Sequence, residues 1–226
     1  MFTGIIQALG RLDSCEPRHG DLRLWIDTGK LIMDNVALGD SIAVNGVCLT
    51  VAELANDADE KGFAADVSRE TLELTTLGQT EIGAALNLEP ALTLQQPLGG
   101  HLVSGHVDGV ADVVSMIDDA RSLRLRFKVP KGLAHYVARK GSVTVNGVSL
   151  TVNKVEGDAF EVNLVPHTLQ ETNLGKLEVG SKVNIEVDLL ARYLERLLTG
   201  VDGAVGEPQL LLAELADRLR APTQTA

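Results

Sequence analysis

Five side chains of this chain could do chemistry, and they are spread unevenly along it: Cys48, His106, Lys140, Ser149 and Asp188. An imidazole titrates near neutrality and suits proton removal. A thiol or a hydroxyl is a latent nucleophile. A cation and an acid can hold or orient a polar reactant. The unevenness is visible because each position has a counterpart of another type elsewhere in the chain. His106 answers Ile5, Lys140 answers Gly39, Ser149 answers Cys48, and Asp188 answers Ala91. His101 has only the chain start as counterpart. One half keeps a thiol while the other gains a base, a cation and an acid. That pattern suits chemistry on two bound molecules in different roles.

Each of these residues also has a plainer reading. A lone Cys48 is more often a small buried hydrophobe than a reactive thiol. Ser41 and Ser149 flank turns, where serine usually serves the backbone. His101 and His106 can be satisfied surface or core histidines. Lys140 beside Gly141 can be a solvated loop charge, and Asp188 can be the N-cap of the helix that follows it.

The counterparts exist because the chain repeats itself. Ser41 to Val51, Ser-Ile-Ala-Val-Asn-Gly-Val-Cys-Leu-Thr-Val, returns as Ser142 to Val152 with eight of eleven positions identical. Asn-Gly between short β-branched runs predicts a β-hairpin with a two-residue turn, since both residues tolerate positive φ. At a shift of 101, Thr3-Gly4 falls on Ser104-Gly105; at a shift of 97, Asn87-Leu88-Glu89 falls on Asn184-Ile185-Glu186. The difference of four sits in the polar stretch after the first hairpin, where a deletion costs least. An internal repeat of this length implies two domains.

Composition narrows the function. The net charge is −11 with no basic cluster, which argues against nucleic acid and anionic membrane surfaces. Aromatic residues make up 3% and apolar residues 45%, so the cores must be mostly aliphatic. Two cysteines, Cys15 and Cys48, without a Cys/His ligand set, argue against a disulfide framework or structural zinc. No basic leader and no long apolar run are visible, so the expected location is the cytoplasm.

Taken in order, Phe2 to Leu12 reads as a strand broken by glycines, and Leu22 to Ile26 as a second. Leu31 to Leu38 is ambiguous between a loop and one helical turn. The hairpin runs on to about Leu54, Asn56 to Gly62 is a loop, and Phe63 to Val67 is a strand. Ser68 to Gly78 reads as a short helix with Ser68 as N-cap and Gly78 as its stop. Ala84 to Leu92 closes the repeat, and the second half follows the same order. After Asp188 the period becomes helical. Leu189, Leu190, Tyr193, Leu194, Leu197 and Leu198 form one apolar face, suited to covering a barrel or packing between subunits. Pro208 is placed to open a second helix. Short strands with Gly-rich turns predict closed antiparallel barrels. The expected domains are 1–97, 98–187 and a helical segment with tail over 188–226.

These motifs resemble riboflavin synthase of the alpha-chain type. They are Met1-Phe2-Thr3-Gly4-Ile5, the two Val-Asn-Gly-Val-x-Leu-Thr-Val hairpins, Gly99-Gly100-His101-Leu102-Val103-Ser104-Gly105-His106-Val107, and Thr168-Leu169 with Thr172-Asn173-Leu174-Gly175. They span about residues 1 to 190 in the family's order. The resemblance implies an all-β fold of two similar six-stranded Greek-key barrels in tandem, with a C-terminal helix that helps form a homotrimer. It also implies a reaction that uses no metal and no redox cofactor. Two molecules of 6,7-dimethyl-8-ribityllumazine dismutate by four-carbon transfer to riboflavin and 5-amino-6-ribitylaminouracil. Association with a lumazine synthase assembly is a further partner the resemblance raises. A non-catalytic antenna protein that only carries lumazine or flavin is the alternative on the same double barrel.

Carried over by motif, a first pocket would use Gly4, Ile5, Ile6, Cys48, Leu49, Thr50 and the run Asp66, Val67, Ser68, Arg69, Glu70, Thr71. A second would use Gly105, His106, Val107, Lys140, Ser149, Leu150, Thr151 and the run Asn163, Leu164, Val165, Pro166, His167, Thr168. The chemical groups implied are Phe2, Ser41, Cys48, His106, Ser149 and Asp188. Asn163 and His167 stand where the first copy has Asp66 and Glu70, so the two pockets are expected to contact the ribityl chain differently.

Overall fold

The computed structural model describes residues 1–55 and 61–199. The first repeat contains β1 (Ala8–Arg18), β2 (Asp21–Asp27), β3 (Ser41–Val44), β4 (Val47–Thr50), β5 (Glu53–Leu54), β6 (Gly62–Val67), α1 (Arg69–Leu74) and β7 (Ala85–Pro90). The second contains β8 (Gly109–Asp119), β9 (Ser122–Lys128), β10 (Ser142–Val145), β11 (Val148–Thr151), β12 (Lys154–Glu156), β13 (Ala159–Leu164), α2 (Pro166–Glu171) and β14 (Lys182–Val187). The two antiparallel sheets have the same order, β4-β3-β7-β1-β2-β6-β5 and β11-β10-β14-β8-β9-β13-β12.

The all-β double-repeat expectation holds, with a difference in strand count. Each sheet has seven strands rather than six because one strand bends. Only Val51 and Ala52 separate β4, which pairs with β3, from β5, which pairs with β6. At the bend the Ala52 amide donates to the Ala64 carbonyl over 2.8 Å. Counted as one bent strand, β4–β5 joins the two ends of the sheet and curls it into a barrel, leaving the outer edge of β4 for another segment. Asn153 donating to the Glu161 carbonyl does the same in the second repeat. Each barrel encloses its own aliphatic core, around Leu24, Ile42, Phe63 and Leu86 in one and Leu125, Val143, Phe160 and Val183 in the other.

The hairpin turns are as expected: Asn45 and Gly46 have φ 47 and 80, and Asn146 and Gly147 have φ 46 and 79. Other local expectations change. Residues 3–7 are not strand, since the chain enters the sheet only at Ala8. Phe2 makes a single bridge to Val103 instead. The ambiguous stretch Leu31 to Leu38 forms turns, with Val36 donating to Met33 and, just beyond it, Asp40 to Ala37. Ser68 does cap α1, its hydroxyl accepting from the Thr71 amide. The stop is Thr75, not Gly78, because the Thr75 side chain caps a 3-10 turn over Thr76–Gln79. Parts of the loop expected over 56–62, the linker from Gly200 and the helix expected from Pro208 lie outside the described residues.

Met1–Asp188 form one compact unit, so the repeats are packed together and not tethered. The two hairpin tips meet back to back, and an asparagine network fills the junction. Asn87 donates from Nδ2 to the Asn146 carbonyl and Asn184 from Nδ2 to the Asn45 carbonyl, both over 2.9 Å. Asn45 Oδ1 accepts from the Asn87 amide and Asn146 Oδ1 from the Asn184 amide, both over 2.8 Å. Asn173 joins them by donating from its amide to Asn87 Oδ1. Such a buried network stabilises only when every member is satisfied. A second unit opens with α3 (Leu189–Thr199), whose Leu190, Tyr193, Leu194 and Leu197 are exposed along one amphipathic face. Among the described residues no helix is long and apolar enough to cross a membrane.

Asn87→Ala strands the Asn173 amide and the Asn146 carbonyl in the junction. It should destabilise the protein by about 3 kcal/mol, read as a lowered urea midpoint at unchanged slope.

Candidate functional site

Each repeat is preceded by an arm, Met1–Gln7 and His101–Asp108, and the arms cross. The Gly4 carbonyl accepts from the Ser149 amide on β11, and the Gly105 carbonyl accepts from the Cys48 amide on β4, both over 2.8 Å. Between these contacts the arms pair with each other. The Phe2 amide donates to Val103 over 2.7 Å and the Val103 amide returns to Phe2 over 3.1 Å. Side chains follow the backbone: Ile6 packs on the core of the second barrel and Val107 on that of the first. Glycine is required where arm and hairpin touch. Gly4 and Gly105 have φ 75 and 80, and a Cβ on them would stand 2.6 Å from Ser149 Cβ and 2.7 Å from Cys48 Cβ.

This crossing regroups the residues that the family motifs assign to each pocket. Gly4, Ile5 and Ile6 lie with Ser149, and Gly105, His106 and Val107 lie with Cys48. Alignment of the repeats could not reveal it, because each arm is adjacent in sequence to one barrel and in space to the other.

The first surface is bordered by β4 and by the turn from β6 into α1. Cys48 is half-buried and Thr50 is exposed. Since the Cys48 amide points away from β3, alternation along the strand puts the Thr50 amide on the same outer edge. Leu49 and Val67 are buried in the barrel core, so they offer only backbone. Asp66 is gripped by Arg23 through two 2.7 Å contacts, which hold its carboxyl below the usual range. Arg69 pairs with Glu73, while Ser68, Glu70 and Thr71 sit in the exposed first turn of α1. The His106 side chain is exposed, and its amide donates to Ser104 Oγ over 3.3 Å.

The second surface repeats the layout with different chemistry. Ser149 and Thr151 stand on β11, with Leu150 half-buried between them. Asn163, Val165, Pro166 and His167 are exposed at the turn into α2, Thr168 is partly covered, and Leu164 is buried. His101 Nδ1 lies 2.7 Å from Ser149 Oγ, and the His101 amide donates to the Thr3 carbonyl over 3.1 Å. Burial pushes the His101 imidazole below its ordinary value, and the negative charge of Asp188 opposes that. A lowered value keeps the ring neutral near pH 7, the state in which it can accept a proton. Lys140 is exposed at φ 66, a left-handed backbone where its counterpart is Gly39 at φ 91. Holding a lysine there costs about 1 kcal/mol.

Phe2 has no free chemical surface, whereas Ser41 is only half-buried. Phe2 is fully buried against Ala43 and Val103, with Cys48 and Ala91 at the edge of the cluster. It fixes the arms rather than meeting a reactant directly. Ser41 pairs with Thr50 across the hairpin, and its carbonyl accepts from the Ala91 amide. It lines a cavity of about 510 Å³ with Gln7, Asn35, Pro90 and Leu92. The sequence marks His101 as asymmetric, yet its pairing with Ser149 is a structural result. Glu89 and Glu186 were missed outright. Their signal was an acid retained in both repeats inside apolar strands, as Asn-x-Glu.

The fold and these two surfaces define a tandem double barrel with one polar surface beside each hairpin. The lumazine binding domain matches residues 3–91 and again 104–188, and the chain belongs to that family. It is 46% identical over 198 residues to riboflavin synthase of Photobacterium phosphoreum, covering 88% of this chain and 89% of that one. It is 43% identical over 201 residues to riboflavin synthase of Mycobacterium tuberculosis, covering 88% and 98%. Among solved structures it is similar to LumP complexed with riboflavin, at 30% identity and a TM-score of 0.74 over 83% of this chain and 99% of that one. LumP complexed with 6,7-dimethyl-8-(1'-D-ribityl) lumazine matches at 29% identity and a TM-score of 0.73, with the same coverage.

Because the His101 value is lowered, its stabilising share is present above the unfolded value and lost as the pH falls through the folded one. Asp188→Asn removes the opposing charge. The His101 midpoint, followed by imidazole NMR, should then fall further; an unmoved midpoint would mean that Asp188 does not act on this ring.

Proposed function

We propose that this chain is a riboflavin synthase, converting two molecules of 6,7-dimethyl-8-ribityllumazine to riboflavin and 5-amino-6-ribitylaminouracil. The observation that carries the reading is the division of chemistry by the crossed arms. A thiol and the exposed His106 accompany the first surface, and a His101–Ser149 pair with Asp188 and Lys140 accompanies the second. Equal carriers would need no such inequality. High identity to riboflavin synthases over most of the chain supports the same reading.

The reaction moves four carbons from one lumazine to the other, and the two products together contain all atoms of the two substrates. The 7-methyl group is acidic because its carbanion delocalises into the pteridine, so a neutral imidazole can take its proton. His106 and His101 are the bases available, one at each surface. Cys48 or Ser41 adds to C7 or orients the water that does so, and Ser149 acts as donor or acceptor beside His101. Asp188 orients this pair. Outer-edge amides on β4 and β11 read the pyrimidinedione, and Lys140 holds a polar edge of the ligand. Asp66 to Thr71 and Asn163 to Thr168 receive the ribityl chains, and their different polar groups suit two substrates held unequally. Juxtaposing two rings supplies proximity, a large share of the rate.

We assign 1–97 and 98–187 as the two lumazine-binding domains and 188–226 as the assembly segment of a homotrimer in the cytoplasm. The exposed apolar face of α3 supports the trimer.

Turnover decides between this enzyme and the second reading, a LumP-like carrier, which the similarity to LumP keeps open. With lumazine as the only substrate, one riboflavin should form per two lumazines consumed. Cys48→Ser and His106→Gln should each slow turnover by at least about tenfold with lumazine still bound. Tight binding without product means a carrier. Lys140→Gly should raise stability by about 1 kcal/mol while weakening lumazine binding, which separates its strained backbone from its side chain.

A further inference from the structure

Two glutamates buried in the strands take no part in the chemistry above, yet the arms hang from them. Glu89 lies on β7 and Glu186 on β14, each 4% exposed. Glu89 Oε1 accepts from the Thr3 amide and the Thr3 hydroxyl, both over 2.7 Å, and Oε2 from the Gly4 amide over 2.9 Å. Glu186 repeats the pattern on Ser104 and Gly105 at the same distances. Three donors converge on each carboxyl. A glutamine would turn its NH2 toward one of them and break that contact.

We infer that Glu89 and Glu186 are crossed positioning residues: each fixes the arm of its own repeat, and through that arm sets the chemical groups on the hairpin of the other. The route from Glu89 runs through Thr3, whose carbonyl accepts from His101, and Gly4, whose carbonyl accepts from Ser149. It ends on the His101–Ser149 pair. The route from Glu186 runs through Gly105 to the Cys48 amide and through Ser104 Oγ to the His106 amide. It ends on the thiol and its histidine. Each half of the molecule therefore tunes the reactivity of the other. The inference deepens the riboflavin synthase reading for the kinetic consequence alone; the crossed coupling stands on the hydrogen bonds.

The test compares Glu89→Gln and Glu186→Gln in a Cys15→Ser background of the full chain, Cys15 being an exposed residue of β1 away from both arms. Two readouts need no turnover: the rate at which iodoacetamide alkylates Cys48, and the imidazole NMR signals of His101. Glu186→Gln should speed alkylation by about fivefold or more, by freeing only residues 104–106 over the thiol, and leave His101, which is held by Thr3 and Ser149, unchanged. Glu89→Gln should shift His101 and leave alkylation unchanged. In both variants kcat should fall more than KM rises. Any other pattern, such as both readouts moving in both variants or in neither, overturns the proposal. If a glutamine variant does not fold, Ser104→Ala and Thr3→Val remove one hydrogen bond from each clamp and must give the same crossed pattern. Absence of turnover in the parent chain would sink the enzyme reading and leave the two spectroscopic and chemical readouts to judge the clamps.

Discussion

The structure depends on two hydrogen bonds that exchange partners: the Gly4 carbonyl with the Ser149 amide, and the Gly105 carbonyl with the Cys48 amide. Remove them and two similar barrels remain, each with an unpaired strand edge beside its hairpin. With them, each barrel is finished by a segment from outside itself. The edges are covered, as exposed strand edges in proteins generally must be. The same contacts carry Ile6 and Val107 onto the partner cores, so polar pairing and apolar burial reinforce one another.

Much of the fold was legible locally. Asn45-Gly46 and Asn146-Gly147 encode their turns by residue type, and Ser68 announces α1. The repeat itself announces two alike sheets. Less legible was anything set by contacts distant in sequence. The bend at Val51 and Ala52 reads as continuous strand until β6 is there to receive it. Thr75 overrides Gly78 as helix stop because its side chain caps the next turn, a local bond that propensity alone does not rank. The arms are the least legible part of the sequence. The motifs group Gly4 with Cys48 and Gly105 with Ser149, whereas the backbone bonds Gly4 to Ser149 and Gly105 to Cys48.

At the site the lesson is similar. Residue types marked where the repeats differ, and those differences do fall on two surfaces. They did not say that His101 would share a hydrogen bond with Ser149, nor that Phe2 would be wholly enclosed. Symmetric elements such as Glu89 and Glu186 carry no mark of function in a comparison of the repeats, because they do not differ. A duplicated scaffold thus hides its machinery in two ways: the differences carry chemistry, and the identities hold it in register.

The hairpin tips bear on how the protein ages. Asn-Gly is the dipeptide most prone to lose its side-chain amide, because the small glycine lets the next backbone nitrogen attack. Asn is accordingly scarce in proteins built for heat. This chain places the dipeptide twice at its centre, where Asn45 and Asn146 are buried with their side-chain oxygens held by the Asn87 and Asn184 amides. Attack requires the side chain to swing away from those donors, so the intact fold is its own preservative. An unfolded chain has no such protection, and a single deamidation there would put a negative charge at the junction of the barrels on refolding. A chain deamidated while unfolded would carry that buried charge as a cost to its stability.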